Sequence, residues 1–239
     1  MKYLDLTFDT AEQNLACDEA LLDMCEDGSE DEILRFWEPR SAFVVLGYSN
    51  KISIEVAINS CKALGVPILR RTSGGGTVVQ GPGCLNYSLI LKIPASGLLA
   101  SLTGTNSFVL GRNRQALGPL LPGHLAVQGT SDLTLGNLKF SGNAQRRKKQ
   151  ALLFHGTFLL TMDLSLISRC LNMPERQPDY RRSRPHADFV TNIPISADSV
   201  KKALSKGWNC SKHLADLPHA AIQKLVLEKY SCKEWNEKF

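Results

Sequence analysis

RRTSGGGTVVQGPGCLNYSLIL, residues 70–91, sets two arginines ahead of three consecutive glycines, a glycine-flanked proline and an apolar run. Gly74, Gly75 and Gly76 lack a Cβ, so their backbone reaches conformations closed to other residues and can touch a ligand directly. Successive exposed N–H groups in such a loop form a nest for an anion. Arg70 and Arg71 bring planar, permanently charged forks suited to phosphate or carboxylate. The apolar VPIL before the loop and YSLIL after it predict that it joins two buried strands. On these residues alone, a flexible hairpin tip and an anion-binding loop both fit.

Working outward, residues 3–8 predict a first strand, and Thr10 and Gln13 stand at the spacing of a capping box. Leu15, Asp18, Leu22 and Cys25 follow at helical spacing, with Gly28 as a stop; Asn14 and Asp18, one turn apart, are expected on its solvated face. ILRFW (33–37) and AFVVLG (42–47) predict paired strands around Glu38-Pro39-Arg40, and Gly47 offers a close approach at a strand end. Residues 54–64 suit a helix with Val56, Ile58, Cys61 and Leu64 inward and Gly65 as its cap. NSFVLGRNRQAL shows helical periodicity interrupted at Gly111. Gly136-Asn137 between DLTL and LKFSGNAQRR is a two-residue hairpin signal. ALLFHGTFLLTM predicts a further strand, and a helix is expected to start between Asp163 and Cys170. Residues 172–192, rich in proline and arginine, read as an ordered loop or lid. VKKALSKGW and AAIQKLVLEKY are amphipathic helices. The alternation predicts an α+β domain.

A second group of residues carries chemistry: Asp132 before the hairpin, then Lys139, Ser141-Gly142-Asn143-Ala144, and His155-Gly156-Thr157 on the next strand. With RRTSGGG upstream, the two motifs resemble those of the lipoate–protein ligase family, within the biotin/lipoate ligase superfamily. Weaker similarity, in EQNLACDEALL and RFWEPRSAFVVLGYSN, extends over most of the chain. The resemblance implies a mixed β-sheet flanked by helices, akin to class II aminoacyl-tRNA synthetase cores. It also implies ATP-dependent activation of lipoate or octanoate to an acyl adenylate, and transfer to a lysine of a lipoyl domain. The implied acceptors are the lipoyl domains of 2-oxoacid dehydrogenase complexes or the glycine cleavage H protein. Many members carry a small further domain; residues 1–239 are expected to form one catalytic domain without it, which leaves room for a separate accessory protein.

Adenylate chemistry brings a carboxylate, an α-phosphate and a leaving pyrophosphate together, so fixed cations and N–H donors must face the developing charge. An isolated strand lysine is ordinarily a solvated charge that discourages edge pairing. Lys139 departs from that pattern because Gly142 opens the backbone near it and its neighbours are apolar, which calls for a partner anion. In the family the matching lysine bridges the ligand's carboxyl oxygen and the phosphate. The resemblance places Asp132 near magnesium and ribose, where Mg²⁺ would bridge it to phosphate; a turn-forming aspartate is the plain alternative. His155 reads as a satisfied core histidine, while Gly156 would give a ligand room. Ser73 and Asn86 can hydrogen-bond either the loop or a ligand. Strands FVVLG, CLNYSLIL and ALLF are expected to line a tunnel for the acyl chain, at about 0.8 kcal/mol per buried CH₂. The basic run Arg146, Arg147, Lys148 and Lys149 fits a solvated hairpin end or a dock for an acidic acceptor. Arg181, Arg182, Arg184 and His186 are candidates for phosphate or acceptor contacts.

Two departures from the family pattern stand out. Tyr48-Ser49-Asn50 replaces a segment that usually holds a glutamine, and Gln80, which cannot titrate, stands where most relatives have histidine. A rival class, octanoyl transfer from acyl carrier protein through a cysteine thioester, needs a thiolate beside the lysine. Cys84 and Cys170 are the candidates near the motifs, though both read better as buried structural thiols. A non-catalytic ligand-binding relative is the third possibility. The formal charge of +5 over 239 residues is too mild to imply nucleic acid. Seven scattered cysteines without a CxxC pair fit reduced thiols and no zinc. With no leader-like start and no membrane-length apolar run, a cytoplasmic protein is expected.

Overall fold

The computed structural model describes residues 1–239. Strand β1 (Lys2–Asp5) leads into helix α1 (Ala11–Glu26), which opens on the capping box read from the sequence: Thr10 Oγ1 accepts from Gln13 N and the Gln13 side chain accepts from Thr10 N. β2 (Ile33–Trp37) and β3 (Phe43–Leu46) follow, then two short helices, α2 (Ile52–Glu55) and α3 (Ile58–Ala63). The single helix expected over 54–64 is broken because Val56 is extended and bridges Leu171, leaving Ile58 exposed. β4 (Ile68–Arg70) and β5 (Val78–Gln80) flank the glycine loop and β6 (Cys84–Lys92) follows.

Helix α4 (Leu102–Leu117) runs unbroken through Gly111; a lone glycine costs a helix about 1 kcal/mol, which the packing of Val109, Leu110 and Leu117 offsets. β7 (Leu125–Gln128), β8 (Asp132–Leu135), β9 (Leu138–Arg147) and β10 (Ala151–Leu159) form a meander, with Gly136 at φ 58° in the turn. The chain continues through α5 (Ser165–Cys170), α6 (His186–Phe189), α7 (Ala197–Gly207), β11 (Lys212–His213), α8 (His219–Leu225) and α9 (Lys233–Asn236).

The strands build two sheets. Eight lie in the order β11-β1-β2-β6-β10-β9-β8-β7, mixed in direction, and three form β4-β3-β5. Two pairings expected from the sequence are therefore corrected. β2 and β3 do not pair, because β2 joins the large sheet beside β1 and β6. The glycine loop is no hairpin tip: β4 and β5 lie on either side of β3, so the loop crosses the end of β3, and YSLIL belongs to the large sheet.

The large sheet is covered on both faces. Leu34, Phe36, Leu89 and Phe154 pack towards α4 and α7, while Ile33, Ile90 and Leu153 pack with α1 and α8. Phe43, Val45 and Leu69 of the small sheet join the α1-side core, and its opposite face packs Val44, Leu46 and Val79 on α3 and α5. The small sheet thus sits beside the α1 face, and the glycine loop reaches over its polar end. No helix is long and apolar enough to cross a membrane.

Candidate active site

Strand register gathers most of the candidate residues. Asn86, Thr157, Gly142 and Asp132 lie opposite one another across β6, β10, β9 and β8; the next row is Ser88, His155 and Ala144. Because side chains alternate along strands, both rows face the α1 side, towards the glycine loop. A Cβ built on Gly75 would lie 3.4 Å from the Ala144 Cβ, so the loop rests on this face. A Cβ on Gly142 would lie 2.9 Å from Lys139 Nζ, so the lysine stretches over that glycine, and its ammonium pairs with Asp132 Oδ1 at 2.7 Å. Gly74, Gly75 and Gly76 are exposed above it. The lysine ammonium and the exposed glycine loop thus stand over the same face of the sheet, at Gly142 and Ala144 of one strand.

The loop is held from behind. Arg71 is buried, and its guanidinium donates to the carbonyls of Gly74 and Gly76 and to Ser73 Oγ. Burial pushes its pKa down to about 10. Asn50 Nδ2 donates to Gly75 O and to Thr77 Oγ1, so this side chain, in the segment where relatives usually have glutamine, braces the loop. Gly47 allows a close approach, as its strand-end position suggested: a Cβ there would meet Gly75 O at 2.1 Å. Arg70 needs correction as a ligand-binding fork. It is fully buried and its guanidinium donates to the carbonyls of Gly47, Tyr48, Asn50, Trp235 and Asn236.

Beneath the loop runs a buried polar chain, in which His155 is the satisfied core histidine expected, while two members expected on a solvated helix face are not there. Asn14 and Asp18 are buried, not solvated. The fully buried Arg35 donates to Asp18 Oδ1 at 2.5 Å and to Asn14 Oδ1 at 2.7 Å, and Ser88 donates to Asp18 Oδ2 at 2.7 Å. Burial alone would raise the Asp18 pKa, but Arg35, with His155 and Ser88, holds it below the usual carboxylate value. His155 Nδ1 lies 3.8 Å from Asp18 Oδ2, too far for a direct hydrogen bond. Its Nε2 is 2.6 Å from Ser73 Oγ. The same hydroxyl accepts from Arg71 Nε, so Ser73 links the histidine to the guanidinium that shapes the loop.

Burial lowers the His155 pKa, which ties stability to pH. The unfolded histidine binds its proton near pH ~6.5 and the folded one only at lower pH. Stability therefore falls as pH drops below about 6.5, and the loss is complete below the folded value. His155→Gln is expected to flatten the slope of unfolding free energy between pH about 5 and 7, read by urea denaturation. Some slope remains, because His186 is buried and pushed down in the same sense. A wild-type slope in the variant would contradict this placement.

Other expectations change. Gly156 gives no room to a ligand: it faces the opposite side of the sheet, where a Cβ would strike Asn143 Oδ1 at 1.8 Å, and Tyr87 Oη donates to that same oxygen. Gln80 Nε2 donates to Thr157 Oγ1, which donates to Asn86 Oδ1; Gln80 Oε1 and Asn86 Nδ2 have no partner in this polar row. Asp132 is already engaged, since its second oxygen accepts from Tyr180 Oη at 2.7 Å and its first holds Lys139; no group of three or more acids, histidines or cysteines surrounds it, so a metal there would need phosphate oxygens to complete its shell. Arg181 and Arg184 donate mainly to carbonyls within 172–192 and lie over Phe189, while His186 is buried at Asn172 O. In the basic run, Arg147 binds Leu99 O and Thr105, Lys148 pairs with Asp23, and Arg146 and Lys149 stay exposed. A charged depression of about 330 Å³, bounded by Tyr3, Asp5, Lys201 and His213, lies at the β11–β1 edge and shares no residue with the cleft.

Residues 10–208 match the family model described as the lipoyl protein ligase A/B catalytic domain. The chain belongs to that family. This lipoyl ligase A/B domain is 27% identical to lipoate-protein ligase A subunit 1 of Thermoplasma acidophilum, over 93% of this chain and 90% of the relative. It is 28% identical to octanoyltransferase LipM of Brevibacillus brevis, over 93% of each. Among solved structures, a bi-partite lipoate protein ligase of T. acidophilum, described with its E2 lipoyl domain, superposes with a TM-score of 0.84 at 25% identity, covering 99% of this chain and 95% of that one. A lipoate-protein ligase A bound with ATP superposes at 0.79 and 26% identity, covering 99% and 98%. The α+β fold with a large mixed sheet is thereby the family's own, and the enzyme class is that of lipoate ligases and octanoyltransferases.

Proposed function

We propose that this chain is an ATP-dependent lipoate–protein ligase. It joins lipoate or octanoate to AMP and passes the acyl group to a lysine of a lipoyl domain. The observation that carries this reading is the Lys139 ammonium stretched over Gly142 and paired with Asp132, on the sheet face where the exposed Gly74–Gly76 loop rests on Ala144.

In the first step the acid's carboxylate oxygen bonds to the α-phosphorus, the bond to the bridging oxygen breaks, and pyrophosphate departs. Lys139 neutralises the crowded oxygens, and the glycine loop, braced by Arg71 and Asn50, can offer main-chain N–H groups with little reorganisation. In the second step the acceptor's amine attacks the acyl carbonyl, the amide bond forms, AMP leaves with the electron pair, and the amine gives up its proton. Lys139 again faces the oxygens where charge develops, as an electrostatic catalyst and not a nucleophile. Asp132 orients the lysine, and Tyr180 orients Asp132. The nucleotide-bound relative supports ATP as co-substrate, and the T. acidophilum system supports a lipoyl-domain acceptor and a separate accessory subunit.

The LipM relatives favour a second reading, nucleotide-free acyl transfer through a cysteine. That route needs an accessible thiolate, and the cysteines near the motifs are poorly suited. Cys84 is buried against Met162, its pKa pushed up to about 12 by burial. Cys170 is buried with Cys61 in the core beneath the small sheet.

Lipoate-dependent exchange of labelled pyrophosphate into ATP decides between them. Exchange is the expected result. Acyl transfer from carrier protein without nucleotide, lost in Cys84→Ser or Cys170→Ser, would overturn the ligase reading.

A further inference from the structure

Strand β4 has one free edge. β3 pairs it on one side only, and Arg71 N and Pro67 O make the bonds to β3. Arg70, the last residue of β4 before the glycine loop, turns its own N–H and C=O the other way. Two side chains meet them there: Arg70 N donates to Asn236 Oδ1 at 2.9 Å, and Trp235 Nε1 donates to Arg70 O at 2.8 Å. Together they satisfy both main-chain groups as a neighbouring strand would. The Arg70 guanidinium returns the contact, donating to the carbonyls of Trp235 and Asn236, and lies 5.3 Å from the Phe239 ring centroid.

This segment is itself anchored. Asn236 Nδ2 donates to Tyr230 O, and Tyr230 Oη and Lys229 Nζ both donate to the Glu19 carboxylate on α1. A continuous set of bonds therefore runs from α1 through residues 229–236 to the root of the glycine loop. From Arg70 it continues to Gly47 O and Tyr48 O, while Tyr48 N holds Ser73 O inside the loop.

We propose that Trp235 and Asn236 are positioning residues that act through Arg70: they fix where the glycine loop sits and so set the affinity for the acid. The affinity clause rests on the ligase reading above; the positioning clause does not. An unpaired edge residue has two free main-chain bonds and a wider range of backbone angles, and a loop whose first anchor wanders presents its amides less often in one place.

The test uses the full chain with Trp235→Phe, which keeps an aromatic ring but loses the donor and part of the indole's packing, and with Asn236→Leu, which keeps the shape and loses both bonds. Leu227→Ser, at a residue 74% exposed in the same segment, is the control. Hydrogen–deuterium exchange without ligand is read at the glycine loop and at α4. The expected result is about tenfold faster exchange in the loop with α4 unchanged. The lipoate KM in pyrophosphate exchange is expected to rise about tenfold, with kcat within about twofold. Unchanged loop exchange overturns the proposal. So does protection lost equally from α4, which would make the contacts a general stability element, and so does faster loop exchange at an unchanged KM. Should the wild-type protein lack lipoate-dependent exchange, the ligase reading fails, and amide exchange alone decides the positioning.

Discussion

Lys139→Ala is expected to cut lipoate-dependent pyrophosphate exchange by about two to three orders of magnitude, the loss seen when a preorganised charge-stabilising group is removed, while the fold survives. The second half follows from the lysine's surroundings. Its side chain is 25% exposed, and an ion pair with that much water nearby contributes at most about 1 kcal/mol. Asp132 keeps Tyr180 as a donor when the lysine is gone, so no charge is stranded in the core. Gly142→Ala sharpens the test. Its added methyl would lie 2.9 Å from Lys139 Nζ and displaces the ammonium without deleting it, so it should lower exchange in the same direction by a smaller factor. Turnover unchanged in Lys139→Ala, with the protein folded by circular dichroism, would remove the basis of the proposed chemistry.

How far the sequence could be read depended on whether a residue's environment was local. The Thr10–Gln13 capping box and the Gly136-Asn137 turn needed only neighbours a few positions away, and both stand in the fold. Gly142 and Ala144 share a face by strand alternation once β9 is placed, but Lys139, three positions before Gly142, joins that face only through a bulge, where Leu133 opposite Ser141 is followed by Thr134 opposite Lys139. Strand partners did not follow. β2, β3 and β6 are buried along almost all of their length, and a strand buried on both faces carries no period to say which sheet it joins. Arg70 and Arg71 look alike in a motif, yet one binds carbonyls at a sheet edge and the other shapes the loop; the partners that separate them, Trp235 and Asn236, lie more than 160 positions away. Gly156 was misassigned because a missing Cβ admits a neighbouring side chain as readily as a ligand, and Asn143 fills it. One further signal does stand in the sequence. Arg35 stands between apolar residues in ILRFW, and a charge there demands a buried partner. Asn14 and Asp18, one turn apart on α1, were the polar pair able to answer it.

That pairing leads to the largest expected effect on stability. Asp18→Ala should lower the unfolding free energy by about 3–5 kcal/mol, the range found when one partner of a buried pair is removed and the other charge stays behind. Arg35 is fully buried, so no water replaces the lost carboxylate. Asn14 O, Asn14 Oδ1 and Leu6 O would still accept from it, but none supplies negative charge. Ser88→Ala, which deletes only the hydroxyl that donates to Asp18, should cost about 1 kcal/mol, and the difference between the variants isolates the charge. The pH dependence carries a sign. The Asp18 pKa is held low in the folded protein, so its contribution is present above the unfolded value of about 3.9 and disappears as pH falls through the folded value. The deficit of Asp18→Ala against wild type should therefore be full at pH 7, measured by urea denaturation, and narrow only in strong acid. A deficit below about 1 kcal/mol at pH 7 would mean that Arg35 finds its balance elsewhere. The same variant also tests the site, because His155 stands between Asp18 and Ser73. With the carboxylate gone, the histidine loses the negative charge that faces its Nδ1, and its contact with Ser73 at the foot of the glycine loop is expected to loosen.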